Sequence, residues 1–217
     1  MKITQIITHH LTHKLEKPFE SASMRFTSRD HLLLEIHCDN GLIGWGECLG
    51  NRIVNDAFIQ AMTPLLIGKN ALDIEPIWLM LYNTFRDQGQ RGATINAISG
   101  IDIALWDLAG KFHQCPTYQL MGGAFRTRIP AYATGGFRII GEDRIESLVK
   151  EISGYKKQGF EAVKIKIGFG VNIDVAAIKA VRQCLGENIE LMIDANHGYD
   201  HIDAARVANQ VADCDIL

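Results

Sequence analysis

The stretch Val163-Lys164-Ile165-Lys166-Ile167-Gly168 says most about the fold and the chemistry of this chain. Its alternation of apolar and basic residues predicts a buried strand, with Lys164 and Lys166 on one side and the apolar residues on the other. Two neighbouring ammonium groups repel each other, and repulsion and partial desolvation both make a lysine easier to deprotonate. Such a lysine can take a proton from a weak carbon acid. Two solvated lysines on an edge strand are the alternative interpretation.

A second apolar run, Leu191-Met192-Ile193-Asp194-Ala195-Asn196, ends in a carboxylate and an amide. Asp194 and Asn196 are two residues apart, so they are predicted to share one face of a strand. An amphipathic segment at 173–185 joins the two runs and predicts a strand–helix–strand unit. Polar residues at the carboxyl ends of parallel strands are typical of barrel active sites. A carboxylate there suits a Mg²⁺ ion that holds a substrate carboxylate while a lysine removes the neighbouring proton.

The composition is that of an ordinary globular protein. The 217 residues are 47% hydrophobic and 22% charged, and the net charge of −3 gives no reason to expect binding to nucleic acid or to an anionic membrane. Five scattered cysteines form no C-x-x-C pair, and they are predicted to be reduced thiols. No signal-peptide core and no membrane-spanning run is evident. These features together predict a cytoplasmic protein.

Residues 1–123 are predicted to form one α+β domain. Strands at 2–9, 31–37 and 42–47, the last two joined by the turn Asp39-Asn40-Gly41, predict a three-stranded antiparallel sheet. Helical periodicity then follows, and its predicted segments are 52–67, 74–86 and 93–113.

Residues 14–30 are predicted to be a polar loop. At about 17 residues it is longer than an ordinary connection, and loops of that length are usually lids, binding loops or disordered. Phe19, Met24 and Phe26 are too apolar for a solvated segment, so a lid that packs against other residues is favoured. The single Arg25 in this loop indicates an anionic, hydroxylated substrate.

Residues 124–217 are predicted to form a second domain of alternating strands and helices. Three βα units in series indicate a parallel barrel or an open sheet. Residues 215–217 are predicted to approach a further strand. Three units cannot close an eight-stranded barrel, so we expect their inner faces to need a cover. The predicted strands are 129–134, 161–167 and 189–194, and the predicted helices are 142–158, 172–185 and 201–213.

Taken in order along the chain, four motifs resemble the enolase superfamily, in its mandelate racemase and muconate-lactonising branch. They are Gly44-Trp-Gly-Glu47, the helix 101–111 running on to 118–123, Lys164-Ile-Lys166 and Asp194-Ala-Asn196. The resemblance covers essentially the whole chain. It implies an α+β capping domain followed by an α/β, TIM-like (β/α)₇β barrel, of which this chain supplies the first three βα units. It also implies a homo-oligomer.

The resemblance further implies Mg²⁺-dependent removal of the proton α to a carboxylate. Lys166 would be the general base, and Lys164 would tune it and contact the substrate carboxylate. Asp194 would be a magnesium ligand. Asn196 is expected near the substrate, as are Tyr132 and Thr134 at the end of the first barrel strand. The capping segment 14–30 would add substrate contacts, for which Phe19, Met24 and Arg25 are the candidates.

Several reactions fit this pattern. An acid-sugar dehydratase or a 2-hydroxyacid racemase is the first hypothesis, with a small hydroxylated carboxylate as substrate. A cycloisomerase or a dipeptide epimerase is the alternative. The family's other metal ligands and its second acid/base lie on later strands, so we expect a chain that ends at Leu217 to be inactive by itself. A truncated, non-catalytic remnant is therefore a hypothesis of another class.

Overall fold

The computed structural model describes residues 1–217, which divide into two compact units. The first unit comprises residues 1–13 and 29–127, and the second comprises residues 14–28 and 128–217. The domain boundary at residue 123 stays a prediction. None of the helices combines the length and the apolar composition that a membrane-spanning segment needs.

The sheet of the first unit has three antiparallel strands, as the sequence predicts. They are β1 (Ile3–Glu20), β2 (Arg25–Cys38) and β3 (Ile43–Cys48), with β2 in the middle. Alternate residues of β2, among them Leu34 and Ile36, are fully buried, which is the pattern expected when one face of a sheet packs on a core.

The prediction of a polar loop at 14–30 is wrong. Strand β1 continues to Glu20 and β2 begins at Arg25, so that only four residues form the turn of a long hairpin. The distal part of the hairpin is mostly polar, and its few apolar residues, Leu15, Phe19 and Phe26, do not form the regular alternation that would reveal a strand. Its strands are held by main-chain pairing and by side-chain contacts, such as the 2.7 Å hydrogen bond from Thr12 to Asp30.

Helices cover the buried face of the first sheet at positions close to those predicted. The longest, α3 (Ala93–His113), packs against β3, where a Cβ atom on Gly46 would overlap the carbonyl oxygen of Gly100. Gly44 is under the same constraint from Ala104. The Gly-Trp-Gly motif therefore marks a close contact between a strand and a helix. The helices of this unit are α1 (Arg52–Leu66), α2 (Ile74–Phe85), α3 (Ala93–His113) and α4 (Thr117–Leu120).

The second unit contains a parallel sheet of three strands, β4 (Ala133–Gly135), β6 (Ala162–Lys166) and β7 (Glu190–Asp194), with β6 in the middle. Its strands alternate with helices, and the apolar face of β6, with Val163 and Ile165 fully buried, packs on the core. A short strand, β5 (Arg138–Ile139), pairs with the last two residues of β1. The elements of this unit are β4 (Ala133–Gly135), β5 (Arg138–Ile139), α5 (Arg144–Lys157), β6 (Ala162–Lys166), α6 (Val171–Leu185), β7 (Glu190–Asp194) and α7 (His201–Gln210).

Two of the predicted boundaries in this unit are wrong. The first strand begins at Ala133 rather than at residue 129, because Ile129 is exposed and Pro130 has no N–H to donate. The last helix ends at Gln210, and a short 3₁₀ helix over 212–214 follows it. Ile216 forms a parallel bridge with Leu191, in keeping with the predicted approach to a further strand.

Candidate active site

One face of the parallel sheet carries four of the predicted site residues. Thr134 is aligned with Lys164, and Lys166 is aligned with Asp194, so all four side chains leave the sheet on the same side. Strand β6 lies between two neighbours and is not an edge strand, which removes the alternative interpretation of its lysines.

Lys166 is nearly buried and is held by an ion pair. Its residue exposure is 9%, and its Nζ donates a hydrogen bond of 2.6 Å to Asp194 Oδ2. The ring of Phe137 lies beside the ammonium group, with its centroid 5.4 Å from Nζ. Phe137 was not among the residues singled out from the sequence. It follows Gly135-Gly136, and this pair of glycines after a strand is the signal that could have found it.

Lys164 is more exposed and is placed by an aromatic residue. Its Nζ donates to the hydroxyl of Tyr132 at 3.1 Å and lies 5.0 Å from the centroid of that ring. The same Nζ is 3.9 Å from Asp194 Oδ2. The structure therefore places Tyr132 beside Lys164, while its predicted contact with substrate stays a prediction. Thr134 is exposed on this face and is aligned with Lys164.

Asp194 is the single carboxylate between the two ammonium groups. The hydrogen bond from Lys166 lowers the pKa of Asp194 below its ordinary value, partly against the effect of burial, and the Asn196 N–H and the charge of Lys164 contribute in the same direction. The cluster has two positive charges for one negative charge. An anionic substrate group would find an attractive surface here.

The prediction that Asn196 lies on the same strand face as Asp194 is wrong. Strand β7 ends at Asp194, and Asn196 lies in the turn that follows, with a left-handed φ of 52°. Asparagine adopts this conformation more readily than most residues. Its N–H donates to Asp194 Oδ1 at 3.0 Å, so Asn196 supports the carboxylate. Its side-chain oxygen is buried without a hydrogen-bond partner.

The tip of the hairpin belongs to the second unit and approaches the ends of its strands. Ala22 lies so close to Gly168 and Gly198 that a Cβ atom at either glycine would overlap its methyl group. Phe19 packs on Phe137, with 4.6 Å between the ring centroids, and so adjoins the ring beside Lys166.

Met24 and Arg25 line a polar cavity of about 420 Å³ beside the hairpin turn. Arg138, Gly168 and Phe169 form part of its wall. Arg25 Nε lies 3.8 Å from Glu20, while Met24 is mostly exposed. Their predicted contact with substrate stays a prediction.

The residues of this chain do not by themselves fit a magnesium site. No group of three or more His, Cys, Asp or Glu side chains converges in a way that could hold a metal ion. Asp194 supplies one carboxylate, which is paired with Lys166, whereas Mg²⁺ prefers about six oxygen ligands in octahedral geometry.

Comparison with protein families gives the same assignment for both parts of the chain. Residues 2–122 match the mandelate racemase / muconate lactonizing enzyme N-terminal domain, and residues 147–217 match the enolase C-terminal domain-like family. The chain belongs to the mandelate racemase and muconate lactonizing enzyme family of the enolase superfamily. The resemblance inferred from the sequence is confirmed, and so is the expected combination of a capping domain and part of a barrel domain.

Individual relatives are enzymes. The chain is 50% identical over 212 residues to D-galactarolactone cycloisomerase of Agrobacterium fabrum, covering 98% of this chain and 56% of the relative. Further relatives of this chain include an arabinonate dehydratase, a hydrophobic dipeptide epimerase and a D-galactonate dehydratase.

Solved structures agree with this assignment. The 3,6-anhydro-D-galactonate cycloisomerase of Zobellia galactanivorans has a TM-score of 0.89 and 36% identity, over 100% of this chain and 57% of its own. The dipeptide epimerase of Enterococcus faecalis, complexed with Mg and the dipeptide L-Leu-L-Tyr, has a TM-score of 0.84 and 30% identity, over 100% of this chain and 60% of its own. The chain thus spans a little over half the length of these relatives.

Proposed function

We propose that this chain supplies the proton-abstracting part of an enolase-superfamily active site, which acts on the carbon next to the carboxylate of a sugar acid or a sugar-acid lactone. The observation that carries the proposal is the cluster of Lys164, Lys166 and Asp194 at the carboxyl ends of two adjacent parallel strands. Catalytic groups of parallel barrels occupy this end of the strands.

Lys166 is the proposed base. An ammonium group held by a carboxylate cannot accept a proton, so Lys166 first releases a proton to solvent and leaves Asp194. The neutral amine then takes the α-proton. The electron pair of the broken C–H bond moves toward the carboxylate to give an enediolate, and Nζ becomes an ammonium group again.

Lys164 is the proposed contact of the substrate carboxylate. The hydroxyl and the ring of Tyr132 hold its ammonium group, which keeps the charge fixed near Lys166. A fixed positive charge stabilises the extra negative charge of the enediolate more than that of the bound substrate, and this difference is what lowers the barrier. Thr134 and Asn196 are proposed to lie near the substrate as well.

Mg²⁺ is the proposed cofactor, with Asp194 as one oxygen ligand. The other ligands are not found among residues 1–217. The proton transfer described above therefore uses only side chains that this chain provides.

Cycloisomerisation of a sugar-acid lactone is the first candidate reaction, because of the 50% identity to D-galactarolactone cycloisomerase. Dehydration of a sugar acid is the second, because of the 35% identity to arabinonate dehydratase. Both begin with the same α-proton. A non-catalytic remnant is less well supported, since the two lysines and the carboxylate remain in contact.

The test is α-proton exchange in D₂O by the full-length protein, with Mg²⁺ and a set of sugar acids and lactones. Replacing Lys166 by Ala is expected to lower the exchange rate by about 10³-fold, within the range for loss of a general base. Lys179→Ala, which removes an exposed lysine on α6, is the control and should leave the rate unchanged. Exchange by Lys166→Ala at nearly the wild-type rate would remove Lys166 from the role of base.

A further inference from the structure

We propose that Arg144 is a positioning residue for Lys166 and fixes the main chain of the lysine together with the aromatic ring beside its ammonium group. The inference rests on the proposed function, in which Lys166 is the base. It concerns a residue that makes no contact with the reacting atoms and whose role is exerted through the lysine.

The guanidinium group of Arg144 binds two carbonyl groups at once. Its Nη2 donates to the carbonyl oxygen of Lys166 at 2.6 Å, and its Nη1 donates to that of Phe137 at 3.3 Å. The ring of Phe137 is the one beside the Lys166 ammonium group. One planar, forked side chain therefore links the base to its aromatic neighbour, and a lysine could not reproduce that fork.

The position of Arg144 is itself well determined. Arg144 is the first residue of α5, and the side chain of Asp143 caps this helix by accepting from the N–H groups of Ile145 and Glu146. On the other side, the ring of Phe169 lies 5.0 Å from the guanidinium carbon, in the arrangement of a cation–π contact.

A buried carboxylate completes the arrangement. Asp174 is fully buried, and its Oδ2 accepts from the N–H groups of Gly168 and Phe169 at 2.6 and 2.8 Å, and also from the Tyr199 hydroxyl. Burial lowers the pKa of Arg144, and the charge of Asp174 works against that effect. The cation thus holds the chain at Lys166, and the anion holds it two and three residues later.

Two buried polar atoms of this arrangement have no hydrogen-bond partner, which indicates that stability alone does not explain it. Arg144 Nε and Asp174 Oδ1 are both buried without a hydrogen-bond partner. Burying such atoms costs free energy, which a purely stabilising arrangement would avoid. Other atoms of the same two side chains form hydrogen bonds with the main chain around the proposed base.

Arg182 provides a matched control for a purely structural arginine. It is half-buried in the same unit and donates to four carbonyl groups, those of Cys214, Gly186, Ile189 and Asp215. None of these carbonyls belongs to β6. A conservative change at Arg182 should therefore lower stability without altering Lys166.

The experiment measures how fast an amine-reactive reagent labels Lys166 relative to Lys164, by peptide mass mapping of the full-length protein at one pH. Lys164 is the internal standard, because it lies on the same strand but is placed by Tyr132. In the wild type, Lys166 should react more slowly, since its side chain is 11% exposed against 25% for Lys164. Arg144→Gln should raise the ratio of the Lys166 labelling rate to the Lys164 labelling rate by about threefold or more. The reason is that the main chain of Lys166 loses the hydrogen bond that holds it.

Arg144→Lys, which keeps the charge but loses the fork, should raise the ratio to an intermediate value, and Arg182→Lys should leave it unchanged. An unchanged ratio in folded Arg144→Gln would overturn the proposal, and so would an equal rise at both lysines, which would indicate general loosening of β6. Should circular dichroism show that Arg144→Gln does not fold, Arg144→Lys decides by the same criterion.

This experiment is independent of the proposed function because it needs neither substrate nor metal. A shifted ratio in a protein that exchanges no α-proton would uphold the positioning role and remove the catalytic one. If α-proton exchange depends on Lys166 but the labelling ratio does not depend on Arg144, the catalytic role of Lys166 is upheld and the positioning role of Arg144 is removed.

Discussion

The charged side chains on the polar faces of the two sheets are paired in different ways. In the first unit, Glu35 lies between His9 and His37, with N···O distances of 2.7 and 2.6 Å, and each imidazole has a carboxylate oxygen of its own. In the second unit, two ammonium groups share one carboxylate, and Lys166 takes the shorter contact. Each imidazole of the first face has an acceptor of its own, whereas both ammonium groups of the second face point at the same carboxylate oxygen.

That difference supports the proposed location of the functional surface on the second sheet. A sheet that only needed to be stable would place apolar or well-paired side chains at these positions, as the first unit does. The excess charge of the second sheet is useful when an anion binds there. Its stability is expected to come from the opposite face, where Val163, Ile165 and Ile167 are buried.

The largest effect is expected in the first unit, where close packing fixes the sheet. Gly46→Ala should lower the free energy of unfolding by about 4 kcal/mol or more, because the new methyl group would overlap the main chain of α3 and no side chain can move to relieve it. Urea titration followed by tryptophan fluorescence reads this unit alone, since all three tryptophans belong to it.

The control for that change is Gly154→Ala, in α5 of the second unit, and its unfolding is followed by circular dichroism because no tryptophan of residues 1–217 lies in that unit. A methyl group there meets nothing within 4 Å, so this substitution should be neutral or should stabilise by up to about 1 kcal/mol. Equal, small effects of the two substitutions would show that the contact between β3 and α3 is looser than described.

A smaller loss of unfolding free energy is expected for substitutions in β6, and its size should differ between the two faces of this strand. Ile165→Ala should cost about 3 kcal/mol, because it removes a fully buried side chain from the core. Lys164→Met should change the unfolding free energy by less than about 1 kcal/mol, since a partly exposed ion pair contributes little. Urea titration followed by circular dichroism measures both. A larger loss from Lys164→Met would mean that the charged face carries stability.

The smallest effect concerns the paired face of the first unit. Burial alone would raise the pKa of Glu35, but the hydrogen bonds and charges of His9 and His37 together lower it. A carboxylate whose pKa is lowered by folding stabilises the fold at pH values above the pKa that the same group has in the unfolded chain. This contribution disappears as the pH falls through the pKa of the group in the folded protein. Glu35→Gln should therefore cost about 1 kcal/mol at pH 7 and nothing in strong acid. An equal cost at both pH values would contradict the ion-pair assignment.

The sequence predicts the parts of this protein that repeat a simple pattern. The alternation of apolar and basic residues predicts strand β6, and the position of Asp194 in the second apolar run predicts its place at the end of β7. Both predictions hold because successive side chains of a strand point to opposite faces. The distal hairpin was missed, since its solvent-facing strands have no apolar alternation. Asn196 was misplaced because a turn, which alternation does not describe, follows Asp194.

The contacts around Lys166 could not be predicted for another reason. Phe137 and Arg144 come from segments far from Lys166 in the sequence, and only the fold brings them to it. An arginine that begins a helix is usually a solvated residue, and its hydrogen bond to a strand carbonyl depends on the packing of α5 against the sheet.

Chemical restoration of the proposed base tests the central claim most directly. Lys166→Cys in the full-length protein should lose α-proton exchange, and alkylation with 2-bromoethylamine should restore an amine of nearly the same length at position 166. The wild type treated in the same way controls for modification of the native cysteines, five of which lie within residues 1–217. We predict that exchange returns in proportion to alkylation at position 166, measured by mass spectrometry. Complete alkylation without any return of exchange would contradict the assignment of Lys166 as the base.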